Sequence, residues 1–379
     1  MKRSFKTLLA LALALILCLS LGVTAFAVDN PETDASAYVT KELQMPDGTA
    51  IPATTFKFTA TAVSVDGKTA EAGTAPAATI ADVGFAAADA STAASGVKSA
   101  VHSSAVSFGA FPHAGVYVYT VKETADTNTF ADSNKQTLSY SKAEYEMQVY
   151  VANKAADGLY IASFAIYQTK DDSGAAIAQP TKITAGENGA FRFINKYSEK
   201  AGSVDPDDPT AYSSLKISNT VAGNMGDKKT LDFKYTLTVT PTAFEATDAT
   251  YTVTKHSADG STADTTVTGG VAYDFTLKHG EYISVKNMLV GSSYTVSEHD
   301  VDSNYTVTAA AGDAVSTDQK TVNGTLVSAG NTAAYTNTYN KEIPTGIIIN
   351  NLPYIMLIVV AGAGLALYLV GKRRREQEG

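Results

Sequence analysis

Tyr117-Val118-Tyr119-Thr120-Val121-Lys122-Glu123 sets Tyr117, Tyr119 and Val121 on one side of an extended chain and Val118, Thr120 and Lys122 on the other. A period of two in aromatic and β-branched residues predicts a half-buried strand. Glu123 falls by parity on the apolar side, where an acid is out of place. Similar runs surround this one. Val39-Thr40-Lys41-Glu42-Leu43, Thr55-Phe56-Lys57-Phe58 and Phe193-Ile194-Asn195-Lys196-Tyr197 alternate in the same way. Turn residues separate them, which predicts a chain of short strands.

The series then recurs in the same order. Ile217-Ser218-Asn219-Thr220-Val221, Asp232-Phe233-Lys234-Tyr235, Tyr294-Thr295-Val296-Ser297-Glu298 and Tyr335-Thr336-Asn337-Thr338-Tyr339 repeat the pattern. Its period is far longer than any solenoid unit, so the expected architecture is all-β, with two tandem β-sandwich domains at 28–197 and 214–341. The polar, Pro-bearing stretch 198–213, with Asp205-Pro206-Asp207-Asp208-Pro209, reads as the linker. Residues 70–105 are Ala-rich and alternate weakly; they read as loops with a few short strands.

Composition agrees with this class. The 379 residues are 45% apolar and 18% charged, with 20 Tyr and no Trp, enough for two or three cored domains. A net charge of −9 with scattered lysines excludes nucleic acid as a partner. The five histidines, His102, His113, His256, His279 and His299, lack metal-ligand spacing. No metal, cofactor or catalytic site is expected, and the chain reads as no enzyme.

Both ends carry membrane signals. Lys2, Arg3 and Lys6 precede the apolar run Leu8 to Leu21, and Ala25-Phe26-Ala27 supplies small residues for signal-peptidase cleavage after residue 27. Cys18 lies inside this segment, so the mature chain from Val28 is expected to hold no thiol and no disulfide. Residues 347–370 are long and apolar enough to span a bilayer as a helix. Lys372, Arg373, Arg374 and Arg375, in the tail 371–379, hold that end in the cytoplasm. Glu342-Ile343-Pro344-Thr345-Gly346 stands just before the span, and this order of motif, span and basic tail resembles a sortase cell-wall sorting signal. The usual motif is Leu-Pro-x-Thr-Gly; the shorter Ile343-Pro344-Thr345-Gly346 points to a pilus-type sortase. Its cysteine would attack the Thr345 carbonyl and release Gly346 with the span.

Side-chain parity isolates three polar residues on core-facing sides. Lys41 shares a face with Val39 and Leu43, Glu123 with Tyr119 and Val121, and Asn195 with Phe193 and Tyr197. Burial is costly for each unless they meet. If they do, desolvation would leave a neutral amine and a protonated acid. Lys41 could then attack the Asn195 carboxamide while Glu123 polarises its oxygen and shuttles protons, leaving an isopeptide bond and free ammonia. Alternation alone favours a plainer reading, an ordinary hydrogen-bonded cluster or a mis-set register.

Val39-Thr40-Lys41, Tyr119-Thr120-Val121-Lys122-Glu123 and Phe193-Ile194-Asn195, with Asp274-Phe275-Thr276-Leu277-Lys278 and Val290-Gly291-Ser292-Ser293-Tyr294 in the second half, resemble the two-domain streptococcal major pilin (T-antigen, FctA) family. The resemblance implies immunoglobulin-like sandwiches of the collagen-adhesin B type and an isopeptide bond between Lys41 and Asn195, assisted by Glu123. It also implies a subunit displayed outside the cell, polymerised with other pilin subunits by sortase and anchored to peptidoglycan, with a host surface ligand as a further partner. A monomeric wall-anchored adhesin or stalk is the alternative. Related pilins place the lysine that links subunits before the last strand of the first domain. Lys182 fits that place best, with Lys170, Lys196 and Lys200 left open.

The second half departs from the pattern. Glu298 and Asn337 match, but Asn219 stands where Lys41 would be, and Lys216 lies on the opposite face by parity. The expectation is a hydrogen-bonded cluster of Asn219, Glu298 and Asn337 without a cross-link.

Overall fold

The computed structural model describes residues 32–125, 130, 133–183, 191–223, 229–312, 314–317, 320–340, 354, 356–361 and 365. The signal-peptidase residues Ala25 and Ala27, the motif Ile343 to Gly346 and the basic tail lie outside these. Of the expected span, residues 354, 356–361 and 365 are helical. Among the described residues no helix is long and apolar enough to cross a membrane.

The strand Gly115–Thr124 buries Tyr117, Tyr119, Val121 and Glu123 while Lys122 and Thr124 face solvent. It pairs antiparallel with Thr54–Val65 on one side and Glu144–Asn153 on the other, and Leu159–Lys170 extends the row. A second row holds Val97–Phe108, Tyr38–Pro46, Phe191–Glu199 and Gln136–Ser139. The two rows face each other: Phe193 meets Phe58 and Tyr145 with ring centroids 5.1 Å apart in both cases. The short strand Ala78–Ile80 pairs with both Thr54–Val65 and Val97–Phe108, which closes the rows into one hydrogen-bonded path.

The Ala-rich stretch holds the short strands expected among its loops, Ala78–Ile80, Val83–Phe85 and Ser91–Ala94, but also a long one. It contains the start of the 12-residue strand Val97–Phe108, which runs antiparallel to the whole of Tyr38–Pro46. Its faces differ too little to reveal a period: the inward Ala100 and Val106 alternate with Ser, His and an outward Val101. This strand covers one edge of Tyr38–Pro46 and the parallel strand Phe191–Glu199 covers the other. The first strand is thus central, and even Thr40 and Glu42, on its outer face, are buried.

The second half forms an eight-stranded and a four-stranded sheet. Tyr212–Gly223 runs parallel to Thr332–Tyr339 in the larger, and Phe233–Thr240 runs antiparallel to Ser293–His299 in the smaller. The Tyr235 and Tyr335 rings, 5.0 Å apart, join the layers.

The stretch expected as a linker is pinned along much of its length. Ser198 and Glu199 remain in the last strand of the first sandwich, and Ser203–Val204 pairs with Tyr212 and Ser213. Ala201 N–H donates to Met288 O at 2.8 Å, and Val290 N–H donates to Glu199 O at 2.8 Å. The Asp205 carboxylate is buried, accepts from Ser213 Oγ at 2.7 Å and meets Lys286 Nζ at 3.3 Å. Lys135 crosses the junction, meeting Glu199 at 3.0 Å and donating to Ser328 O at 3.1 Å.

Candidate functional site, a buried amine, acid and amide

Three strands distant in sequence bring Lys41, Glu123 and Asn195 together. In the parallel ladder between Tyr38–Pro46 and Phe191–Glu199, Lys41 lies opposite Phe193 and Leu43 opposite Asn195. Glu123 enters from the facing row, where it sits beside Phe58. Lys41 and Asn195 are 0% exposed and Glu123 is 7% exposed. Glu123 holds both partners: Lys41 Nζ donates to its Oε2 at 2.8 Å and Asn195 Nδ2 donates to its Oε1 at 2.7 Å.

Burial governs the protonation of this site. It pulls the Lys41 ammonium down from 10.5 to about 8, against the attraction of Glu123. Burial likewise pushes the Glu123 carboxyl above its usual range, against the attraction of Lys41. The two shifts converge, which lowers the cost of passing a proton from amine to acid to leave a neutral nucleophile beside a carboxylic acid. The Phe56 ring, 4.6 Å from Lys41 Nζ, helps wall the amine from water.

The structure gives the amide oxygen a different partner from the expected one. Ser141 N–H donates to Asn195 Oδ1 at 2.6 Å in the interior. A backbone N–H can only donate, which fixes the amide with its oxygen toward Ser141 and its nitrogen toward Glu123. Glu123 is therefore placed to move protons between the two nitrogens, while Ser141 polarises the carbonyl. Ser141 and its neighbour Asp172 carry no sign of this in the sequence: Tyr140-Ser141-Lys142 and Asp171-Asp172-Ser173-Gly174 read as ordinary turns.

The outer face of the same ladder holds a second polar cluster. Arg192 pairs with the buried Glu42, which also accepts from Gln44 Nε2 at 2.8 Å and Ser99 Oγ at 3.0 Å. Burial raises the Glu42 pKa, but these hydrogen bonds outweigh it and hold the carboxyl below its usual value. The first and last strands are thus tied on both faces.

In the second sandwich Val221 lies opposite Asn337, so Asn219 occupies the position of Lys41, two residues earlier. Glu298 sits beside Tyr235 as Glu123 sits beside Phe58. Asn337 Nδ2 donates to Glu298 Oε1 at 2.7 Å and to Asn219 Oδ1 at 3.1 Å; Tyr235 Oη donates to the same Glu298 oxygen at 3.1 Å. Burial raises the Glu298 pKa, against the hydrogen bonds of Asn337 and Tyr235 and the weaker attraction of Lys320, and no amine forms an ion pair with it among the described residues. Lys216 is exposed with its Nζ over the Tyr282 ring at 4.1 Å. Lys182 is exposed on the two-residue strand Lys182–Ile183, which pairs with Ile166 and Tyr167 at one end of the first sandwich's path. Of the alternatives, Lys170 pairs with Glu144 at 3.0 Å, and Lys196 and Lys200 lie over the Phe244 and Tyr212 rings at 5.9 and 5.5 Å.

Comparison with known proteins divides the chain at the same place. Residues 37–198 match the family described as a Spy0128-like isopeptide containing domain (FctA), and residues 213–339 match a domain of unknown function (DUF7601). A pilin from Streptococcus pyogenes serotype M1 is 33% identical over 174 residues, which are 42% of this chain and 49% of that protein. The chain thus spans about half the length of this curated relative. The major pilin crystal structure from Streptococcus pyogenes is 24% identical, with a TM-score of 0.34 and coverage of 81% of this chain and 99% of that one. The T3.2 major pilin from the same species is 22% identical at a TM-score of 0.32, covering 80% and 98%. The sandwich that holds Lys41, Glu123 and Asn195 is thus the part of the chain, residues 37–198, that is similar to the Spy0128-like isopeptide containing domain family.

Proposed function

We propose that this protein is a structural subunit of a covalent surface pilus, and that its first sandwich is stapled by an isopeptide bond between Lys41 and Asn195. The observation that carries this reading is the single carboxylate of Glu123, which grips both reacting nitrogens in a dry interior at 2.8 and 2.7 Å. Such a bond closes a loop of roughly 150 residues, worth about 5 kcal/mol if the chain-entropy treatment of disulfides carries over. It also joins the first strand to the last, so tension along the fibre passes through a covalent link before it reaches the sheet hydrogen bonds. Being free of sulfur, it is indifferent to reductants outside the cell.

The bond forms once per molecule and is a step of maturation, so the protein is a structural component and its chemistry is spent on itself. Assembly belongs to a sortase of the pilus type. The sortase would form a thioester with Thr345, and an amine of the next subunit would resolve it. Lys182 is the proposed amine. Its support is exposure on a short edge strand just ahead of Phe191–Glu199. Anchoring to peptidoglycan by the same enzyme completes the pathway from membrane precursor to surface fibre.

Intact mass spectrometry of the mature domains tests the staple. The measured mass is expected to fall short of the sequence mass by one ammonia. No shortfall would remove the bond, and a shortfall of two would mean that the second sandwich also links.

A further inference from the structure

The two sandwiches act as each other's control, and they differ at more than the missing amine. In the first, Asn195 Oδ1 accepts the Ser141 N–H at 2.6 Å. In the second, the corresponding Asn337 Oδ1 is buried and has no partner among the described residues. Ser141 is itself fixed. Its Oγ donates to Asp172 Oδ1 at 2.5 Å and accepts from Ala143 N–H at 3.1 Å. The same Asp172 oxygen accepts from Ile194 N–H at 2.9 Å, one residue before Asn195, and Lys142 N–H donates to Asp172 O at 3.0 Å. Asp172 therefore ties the turn that carries the donor to the strand that carries the amide.

We propose that Ser141 and Asp172 form a bracket that activates Asn195 for attack, with the Ser141 N–H as oxyanion donor and Asp172 as the positioning residue. The inference rests on the reading that Lys41 and Asn195 become joined. In that reaction the Lys41 ammonium first gives a proton to Glu123. The bond from Lys41 Nζ to Asn195 Cγ then forms, and negative charge gathers on Oδ1 against the Ser141 N–H. Glu123 moves one proton from Nζ to Nδ2, the Cγ–Nδ2 bond breaks, and ammonia leaves with no change in oxidation state. A preset donor aimed at the developing oxyanion is worth far more in a dry site than in water. Among the described residues the second sandwich lacks this donor as well as the lysine, so restoring the amine is not expected to restore the reaction.

The test follows ammonia loss by intact mass in freshly translated full-length chains. Ser141→Ala, which keeps the N–H but frees it from Asp172, and Asp172→Asn are each expected to link about tenfold more slowly or worse, while circular dichroism stays that of the wild type. The pH profile separates activation from simple support. The charged groups around Lys41 and Glu123 are each other, Glu42 and Asp172, and the Asp172 charge raises the pKa of both. Asp172→Asn is therefore expected to move the pH optimum of linking downward, whereas Ser141→Ala slows the reaction without moving it. In the other arm, Asn219→Lys with Tyr235→Phe copies the amine and the phenyl ring of the first sandwich into the second. This variant is expected to lose no second ammonia on the time scale on which the first domain completes. Wild-type rates and pH optima in both bracket variants would overturn the proposal, as would prompt loss of a second ammonia from the double variant. If the bracket variants do not fold, the double variant decides alone. Absence of any ammonia loss from the wild type would instead defeat the underlying reading of the Lys41–Asn195 bond.

Discussion

A fully buried lysine is held in this interior by one carboxylate, and the pair gives the unlinked domain an unusual dependence on pH. The Asn195→Ala variant, which cannot link, isolates the effect. Glu123 is protonated in the folded chain to a higher pH than in the unfolded chain, so folding binds a proton and stability falls as pH rises from about 4.5. Lys41 acts in the opposite sense. Its folded form loses the proton near 8 and its unfolded form near 10.5, so stability recovers as pH rises through that window. Urea titrations of Asn195→Ala are expected to show a minimum of stability between these two limbs, above about pH 4.5 and below about pH 8. A maximum there would contradict the burial assigned to the pair. Parity was enough to put Lys41, Glu123 and Asn195 on inward faces, because one strand period distinguishes in from out. It could not tell which atom of the amide meets the acid. That depends on Ser141, a residue in a turn, where no period exists.

At the level of strands, what the sequence made legible was contrast between faces. Tyr117 to Glu123 alternates large apolar with polar residues, and its burial follows the same alternation. Val97–Phe108 is as long as any strand among the described residues, yet small residues on both its faces hide it. Its position beside Tyr38–Pro46 explains why Glu42 is buried as well as Lys41, a consequence of central placement that alternation does not express. The stretch between the sandwiches was legible only as polar and Pro-bearing; its pinning arises from partners far along the chain, at Lys286, Met288 and Val290. Gly202 makes this pinning possible. Its φ is +84°, and an added Cβ would fall 1.9 Å from Ser213 O. Gly202→Ala is expected to destabilise the junction and second sandwich by roughly 1–3 kcal/mol. Calorimetry should show the second sandwich melting earlier, with the ammonia loss of the first unchanged; equal melting would contradict the close approach.

Across the whole molecule, the proposed function would make the parts a path for load. Tension entering the first sandwich would meet the paired first and last strands, which the proposed Lys41–Asn195 bond would tie on the inside and which Glu42 and Arg192 tie on the outside. It would leave through Glu199 to Ala201, whose backbone is bonded to Met288 and Val290 of the second sandwich. Gly291 lets the sandwiches approach: a Cβ there would lie 2.4 Å from Asp47 O. Growth of the proposed fibre would be a separate matter of surface chemistry, and with Lys182 as the linking amine Lys182→Arg is expected to abolish the ladder of covalent multimers on denaturing gels while leaving the monomer folded. An intact ladder would move the linkage to another lysine, and a single band in the wild type would favour a monomeric anchored stalk. The staple itself has the most direct test: tandem mass spectrometry of a proteolytic digest of the denatured, mature protein. The account predicts a branched peptide in which the Lys41 side chain is joined to the Asn195 side chain, lighter than its two parts by one ammonia. Recovery of the Lys41 and Asn195 peptides as separate, unmodified species would contradict it.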